Sequence, residues 1–179
     1  MGGIYKILVT GPYNSGKTTF IGSISEIEVV STERQVSGAQ SGEMTTVAMD
    51  FGRITLSDGD VIHLYGTPGQ ERFNFMWEIL SEGILGYVVC VDGSSCFFDE
   101  CKNILRTFSR ITDVPFVVAI TRSDQDNCAS VEKVRKMLEL SEEIDVLNCD
   151  ARDTNDVKEV LIRVLERVLQ REEALERAG

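Results

Sequence analysis

The sequence predicts an α/β domain built on a mostly parallel sheet. Three observations carry that expectation. Short apolar runs alternate with stretches of helical period along the chain, the pattern of strand–helix–strand units. Two of the runs, GYVVCVD and PFVVAIT, are continuous in apolar residues, as strands covered by helices on both faces are. The 179 residues are 42% apolar and 26% charged, values of one globular domain. A chain of that length buries roughly two-thirds of the surface its unfolded form exposes.

In chain order, YKILVTG reads as the first strand and TTFIGSISEI as the helix after it. The polar stretch VSTERQVSGAQSGEMT has neither period and is expected to be a long loop. VAMDFGRITL and VIHLYG are strands joined by SDGD, whose Asp58-Gly59 marks a hairpin tip. That hairpin makes one strand antiparallel, at an edge of the sheet. Between GYVVCVD and PFVVAIT, the stretch FFDECKNILRTFSRI sets Phe98, Cys101, Ile104, Leu105 and Phe108 on one helical stripe. SVEKVRKMLEL opens on Ser130 with Lys133 three positions on, half of a capping pattern. DVLNCDA is the last strand. A closing helix from Asp156 to about Arg177 repeats Val157, Val160/Leu161, Val164/Leu165 and Val168/Leu169, with Glu159–Arg163 as an expected ion pair. The expectation is a six-stranded sheet with helices on both faces and one domain over residues 1–179.

Composition excludes several functions. A formal net charge of −11 disfavours broad contact with nucleic acid or an anionic membrane. Five cysteines (Cys90, Cys96, Cys101, Cys128 and Cys149) form no C-x-x-C pair and there is one histidine, so a zinc site is not expected. With no secretory h-region or long apolar span, the expected compartment is the reducing cytoplasm. Gly2 is followed by Lys6 where a myristoylation pattern wants Ser or Thr, and ERAG offers no prenylation cysteine. No lipid anchor is expected.

The chemistry begins at KILVTGPYNSGKTTF. Gly11-x4-Gly16-Lys17-Thr18 satisfies the phosphate-loop pattern and lies between a strand and a helix, as that pattern requires. A polyphosphate needs several N–H donors converging on it, and a loop curling into a helix N-terminus supplies them. The loop residues Asn14, Ser15, Gly16, Lys17, Thr18 and Thr19 are therefore candidate nucleotide contacts, with Gly11 as the turn. Lys17 reaches the β- and γ-phosphates and Thr18 ligates Mg²⁺. A glycine turn with a solvated lysine is the bland alternative, and the strand–helix setting argues against it.

Further segments follow in order. Thr45-Thr46 comes after the polar loop, GTPGQERF (Gly66 to Phe73) after a strand, Thr121-Arg122-Ser123-Asp124 after another, and Cys149-Asp150-Ala151-Arg152 after the last. Thr45-Thr46 precedes a strand, and all of these fall at strand C-terminal ends or in the loops beside them, where α/β sheets bind ligands. With these motifs the chain resembles the Ras-like small GTPases over essentially its whole length. TTVAMDFGRI, a GTPGQERF lacking its leading acid and the absence of a lipidation tail make it similar to the prokaryotic MglA-like members.

The resemblance implies a P-loop fold and a GTP/GDP switch with slow Mg²⁺-dependent hydrolysis. Thr46 would bind Mg²⁺ and the γ-phosphate, Gly69 would donate its N–H, and Gln70 would orient the attacking water, so that Gln70, Lys17 and Thr46 are the catalytic set. Asp124 would read guanine, flanked by Thr121, Arg122, Ala151 and Arg152. Phe73, Phe75, Met76, Trp77, Ile79 and Leu80 would form the switch that an effector or a Roadblock/longin-type activating partner reads, with partner surface and core packing both open for Phe75 and Trp77. Three residues depart from the family pattern. Gly66 replaces the Mg²⁺-holding acid, Tyr13 fills the third loop position, and Arg122 replaces a lysine. Arg34 is the candidate for a finger in cis. His63 and Cys149 are expected to be structural. Two alternatives stay open: a non-hydrolysing nucleotide-bound scaffold, and an ATP-preferring P-loop protein.

Overall fold

The last four residues of strand β1 (Ile4–Thr10) are fully buried, because the strand has a parallel neighbour on each side. The computed structural model describes residues 2–37, 44–69, 75–95 and 98–178, and for 31–37 and 44–48 it describes the backbone. The remaining strands are β2 (Val30–Ser37), β3 (Met44–Thr55), β4 (Val61–Gly66), β5 (Gly86–Asp92), β6 (Phe116–Thr121) and β7 (Asp145–Asn148). They form one sheet in the order β2–β3–β4–β1–β5–β6–β7. All neighbours are parallel except β2–β3 and β3–β4.

Alternation along the central strands splits the core into two layers. Ile7, Val9, Val88, Cys90, Val117 and Ala119 face α1 (Lys17–Ile24) and α5 (Thr154–Ala178). Leu8, Tyr87, Val89, Val91, Val118 and Ile120 face α2 (Phe75–Ser81), α3 (Phe98–Ile111) and α4 (Val131–Leu138). This period of two is what a pleated strand imposes when both faces are covered. In the second layer Trp77 stacks on Phe108 at 5.5 Å, and Tyr87 stacks on both Phe108 and Phe116 at 5.0 Å.

The expected α/β class, all six expected strands and the helices on both faces are present. Three details differ. The polar stretch expected as a loop contributes a seventh strand, β2, paired with β3 from Val30↔Phe51 to Ser37↔Met44. An edge strand needs a backbone partner on one side and no apolar period, so its sequence carries little signal. In consequence the antiparallel β3 lies inside the edge rather than at it. On α5, Arg163 pairs with Glu166 at 3.5 Å rather than with Glu159, and Leu169 of the expected stripe is 59% exposed.

At Gly59, Ser130 and His63 the local expectations hold. Gly59 takes φ +88° at the hairpin tip, where Leu56 and Asp60 close the turn. Ser130 caps α4 by accepting the Lys133 N–H at 3.3 Å. His63 packs edge-on against Phe51 at 5.1 Å. Among the described residues no helix is long and apolar enough to cross a membrane, and no cluster of His, Cys, Asp or Glu is arranged to hold a metal by itself.

Candidate functional site

Strand β1 sits at the point where the sheet order reverses, with β4 on one side and β5 on the other. The crevice outside the carboxyl ends of such strands is where doubly wound sheets take ligands. The loop from Gly11 to Gly16 leaves β1 there. Gly11 has φ +147° and a Cβ on it would meet the Cys90 carbonyl oxygen at 2.3 Å, so only glycine fits. Asn14 and Gly16 take left-handed φ values of 60° and 90° and bend the chain back into α1.

Lys17 is 8% exposed, and its Nζ donates to the carbonyls of Gly11 at 2.9 Å and Pro12 at 2.6 Å. Burial holds its pKa below the ordinary lysine value. Helix α1 carries no side-chain cap and no acid in its first turn. The Ser15 hydroxyl is buried and has no hydrogen-bond partner among the described residues. A buried cation, an uncapped helix start and an orphaned hydroxyl in one concave loop fit an anionic ligand.

The missing carboxylate of Gly66 is supplied from the neighbouring strand. Asp50 on β3 lies directly opposite Gly66 in the antiparallel β3–β4 register. Its Oδ2 accepts the Thr18 hydroxyl at 2.5 Å. A Cβ at Gly66 would come within 3.0 Å of the Asp50 Cβ and 3.3 Å of its Oδ2, so the glycine makes room for the acid across from it. Sequence reasoning missed Asp50, because a two-residue Asp58-Gly59 tip would pair position 50 with 67; the turn closed by Leu56 and Asp60 shifts the register by one and pairs 50 with 66. Side chains directly opposite on antiparallel strands share a face.

Gly69 packs onto the loop, and a Cβ there would meet the Tyr13 N at 2.6 Å. The segment before it is pinned twice: Thr67 Oγ1 donates to Thr10 Oγ1 at 2.8 Å, and Trp77 Nε1 donates to the Pro68 carbonyl at 3.3 Å. Trp77 is 1% exposed, so of its two open readings the core prevails, whereas Phe75 is 55% exposed. Tyr13 is exposed and lines the phosphate side of the cleft. Gln70 and Phe73 lie outside the described residues, as do the side chains of Arg34 and Thr46. The backbone places Thr46 within β3, opposite Gln35, rather than before a strand.

A second cavity adjoins the loop on the side of α5, lined by Asn14, Thr19, Arg122, Asp124, Ala151 and Arg152 among others. Thr121 ties it to the phosphate loop by donating from Oγ1 to the Ser15 carbonyl at 2.9 Å. Arg122 bridges the Asp92 carboxylate and the Asn14 carbonyl, a clamp between the loop and β5. Arg152 Nη2 reaches Asp124 Oδ2 at 2.9 Å. Cys149 is buried beneath this cavity, and burial pushes its thiol far above the ordinary value, as suits a small apolar filler. The structure brings Thr121, Arg122, Asp124, Ala151 and Arg152 to one cavity and Ser15, Lys17, Thr18 and Gly69 to its neighbour, with Asn14, Gly16 and Thr19 lining both.

A family model described as conserved hypothetical ATP binding protein matches residues 28–171. The chain belongs to that family. The matched stretch begins beyond Lys17 and Thr18 and takes in Asp50, Gly66, Asp124 and Arg152. An uncharacterized protein of Methanocaldococcus jannaschii is 29% identical over 119 residues, 66% of this chain and 70% of its own. The mutual gliding-motility protein MglA of Myxococcus xanthus is 24% identical over 147 residues, 74% of each chain. ADP-ribosylation factor-like protein 3 of Saccharomyces cerevisiae is 23% identical over 137 residues, 74% of this chain and 67% of its own. Family and relatives support a Ras-like P-loop relationship, and with it a nucleotide as ligand.

Proposed function

We propose that residues 1–179 form a single guanine-nucleotide-binding domain that works as a GTP/GDP switch and hydrolyses GTP slowly. The observation that carries this reading is the continuity of the loop around Lys17 with the cavity around Asp124, joined by Thr121. A nucleoside polyphosphate spans both. Lys17 meets the β- and γ-phosphates, and the amides at the start of α1 neutralise the rest.

The donor set at the cleft mouth, the Thr18 hydroxyl and the Asp50 carboxylate, consists of hard oxygens suited to Mg²⁺ completed by phosphate oxygens and water. When bound, that cation would offset charge on the phosphates being separated. Asp50 orients Thr18 toward it, and Thr46 is the further candidate ligand. Gly69 donates its N–H to the γ-phosphate and Gln70 orients the attacking water. Asp124 accepts from the N1–H and exocyclic amine of guanine, which adenine lacks. The family's description as ATP binding favours ATP instead, so competition between GDP and ADP for the purified protein is the discriminating test.

Exposed Phe75 and Ile79, four residues apart on α2, present one apolar face to a protein partner that would raise the rate. A Roadblock/longin-type dimer is the partner the MglA resemblance favours. Single-turnover conversion of GTP with Mg²⁺, beside Gln70→Leu, tests the catalytic part. The expected result is slow conversion that the substitution abolishes. Tight binding with no conversion in either protein would favour the non-hydrolysing scaffold.

A further inference from the structure

The cavity around Asp124 holds a charge problem. Two carboxylates, Asp124 from the loop after β6 and Asp150 from the loop after β7, line the same small space. A third acid stands behind them, because the Asp150 N–H donates to Asp156 Oδ2 at 2.8 Å. Like charges sharing one small space repel each other unless a cation lies between them. The described cations lining the cavity are Arg122 and Arg152. Arg122 is committed elsewhere, to Asp92 and the Asn14 carbonyl.

Arg152 resolves the conflict. Its Nε and Nη2 grip the Asp150 carboxylate at 2.9 and 2.7 Å, and the same Nη2 reaches Asp124 Oδ2 at 2.9 Å. Its backbone N–H adds a fourth bond to Asp150 Oδ1 at 3.0 Å. These hydrogen bonds hold the Asp150 carboxyl down at about 2. A carboxylate oxygen has two acceptor positions, so a bond from Arg152 to Oδ2 leaves Asp124 able to receive a base.

We infer that Arg152 is a specificity-positioning residue: its guanidinium bridges Asp150 and Asp124 and so holds the Asp124 carboxylate in place for a guanine edge. The inference rests on the reading of this cavity as a guanine site. It makes the loops after β6 and β7 act as one body, joined by a charged clamp. Removing the clamp leaves Asp150 facing Asp124 unopposed. Removing Asp150 as well takes away the need for it.

The test compares wild type, Arg152→Met and the double variant Asp150→Ser with Arg152→Met, each measured for GDP, IDP and ADP affinity by calorimetry. Methionine keeps the apolar stem that lies along the pocket and deletes the charge. IDP lacks the exocyclic amine and reports the second hydrogen bond to Asp124. Arg152→Met is expected to weaken GDP binding about five- to tenfold and IDP binding less, compressing the GDP/IDP ratio. The double variant is expected to recover both GDP affinity and that ratio, with melting temperatures reporting that all three proteins are folded. An unchanged GDP/IDP ratio in Arg152→Met would overturn the inference. So would a double variant as weak as the single, because the arginine would then act on the base itself. A wild-type protein that does not prefer GDP to ADP would overturn the guanine reading, and the inference with it.

Discussion

Asp50 shows how one acid can be moved without losing its task. In this chain the carboxylate that steadies Thr18 comes from β3, and a side chain at the glycine across the ladder would be tight against it, with a Cβ 3.0 Å from the Asp50 Cβ and 3.1 Å from Ile21 Cδ1. Asp50→Ala should lower Mg²⁺-dependent nucleotide affinity by about ten- to a hundredfold. The deficit should vanish when binding is measured in chelator. Restoring the conventional acid alone should fail: Gly66→Asp is expected to bind worse than wild type, since its carboxylate would crowd and repel Asp50. The paired exchange, Asp50→Gly with Gly66→Asp, should recover most of the loss. Recovery by Gly66→Asp alone would show that the two positions do not compete. The absence of an acid at Gly66 was plain in the sequence. Its replacement was readable only through strand register, since an aspartate inside a strand has no local signature.

Helix α2 divides its apolar residues between two tasks that its sequence does not separate. Trp77 is sealed against Phe108 and holds the Pro68 carbonyl, whereas Phe75 and Ile79 face outward. Trp77→Ala should cost about 3–5 kcal/mol in chemical denaturation. It should also loosen the Thr67–Gly69 segment that lies on the phosphate loop. Phe75→Ala, at a side chain more than half exposed, should cost much less stability than Trp77→Ala and should lower partner-stimulated turnover. If Phe75→Ala unfolds the protein as readily as Trp77→Ala, the division is wrong. Periodicity could not sort these residues, because a short helix crowded with large apolar side chains fills more than one stripe. Strand β2 was missed for the complementary reason, being a polar edge whose partner is remote in sequence.

Across the molecule, α5 is tied to the sheet by packing and by an ion pair to the first residue of β7. Arg167 Nε donates to Asp145 Oδ2 at 2.6 Å, joining α5 to β7, and that hydrogen bond holds the Asp145 carboxyl below its ordinary 3.8. A depressed folded value means the bridge stabilises fully above 3.8 and is lost as pH falls through the folded value. Arg167→Met should therefore melt lower than wild type at neutral pH, with the gap closing as pH drops below 3.8. A gap independent of pH would assign the effect to packing instead. From the sequence alone came the α/β class, six strands in order, the phosphate-loop pattern and the segments proposed to read the base. These depend on local pattern: apolar runs, helical stripes, glycine turns and short motifs spaced along the chain. Tertiary structure alone decided which acid meets Thr18, which aromatic is core, and how Arg152 reconciles Asp124 with Asp150. Each of those is a meeting of residues distant in sequence or a choice between faces, and sheet register and helix packing determine it.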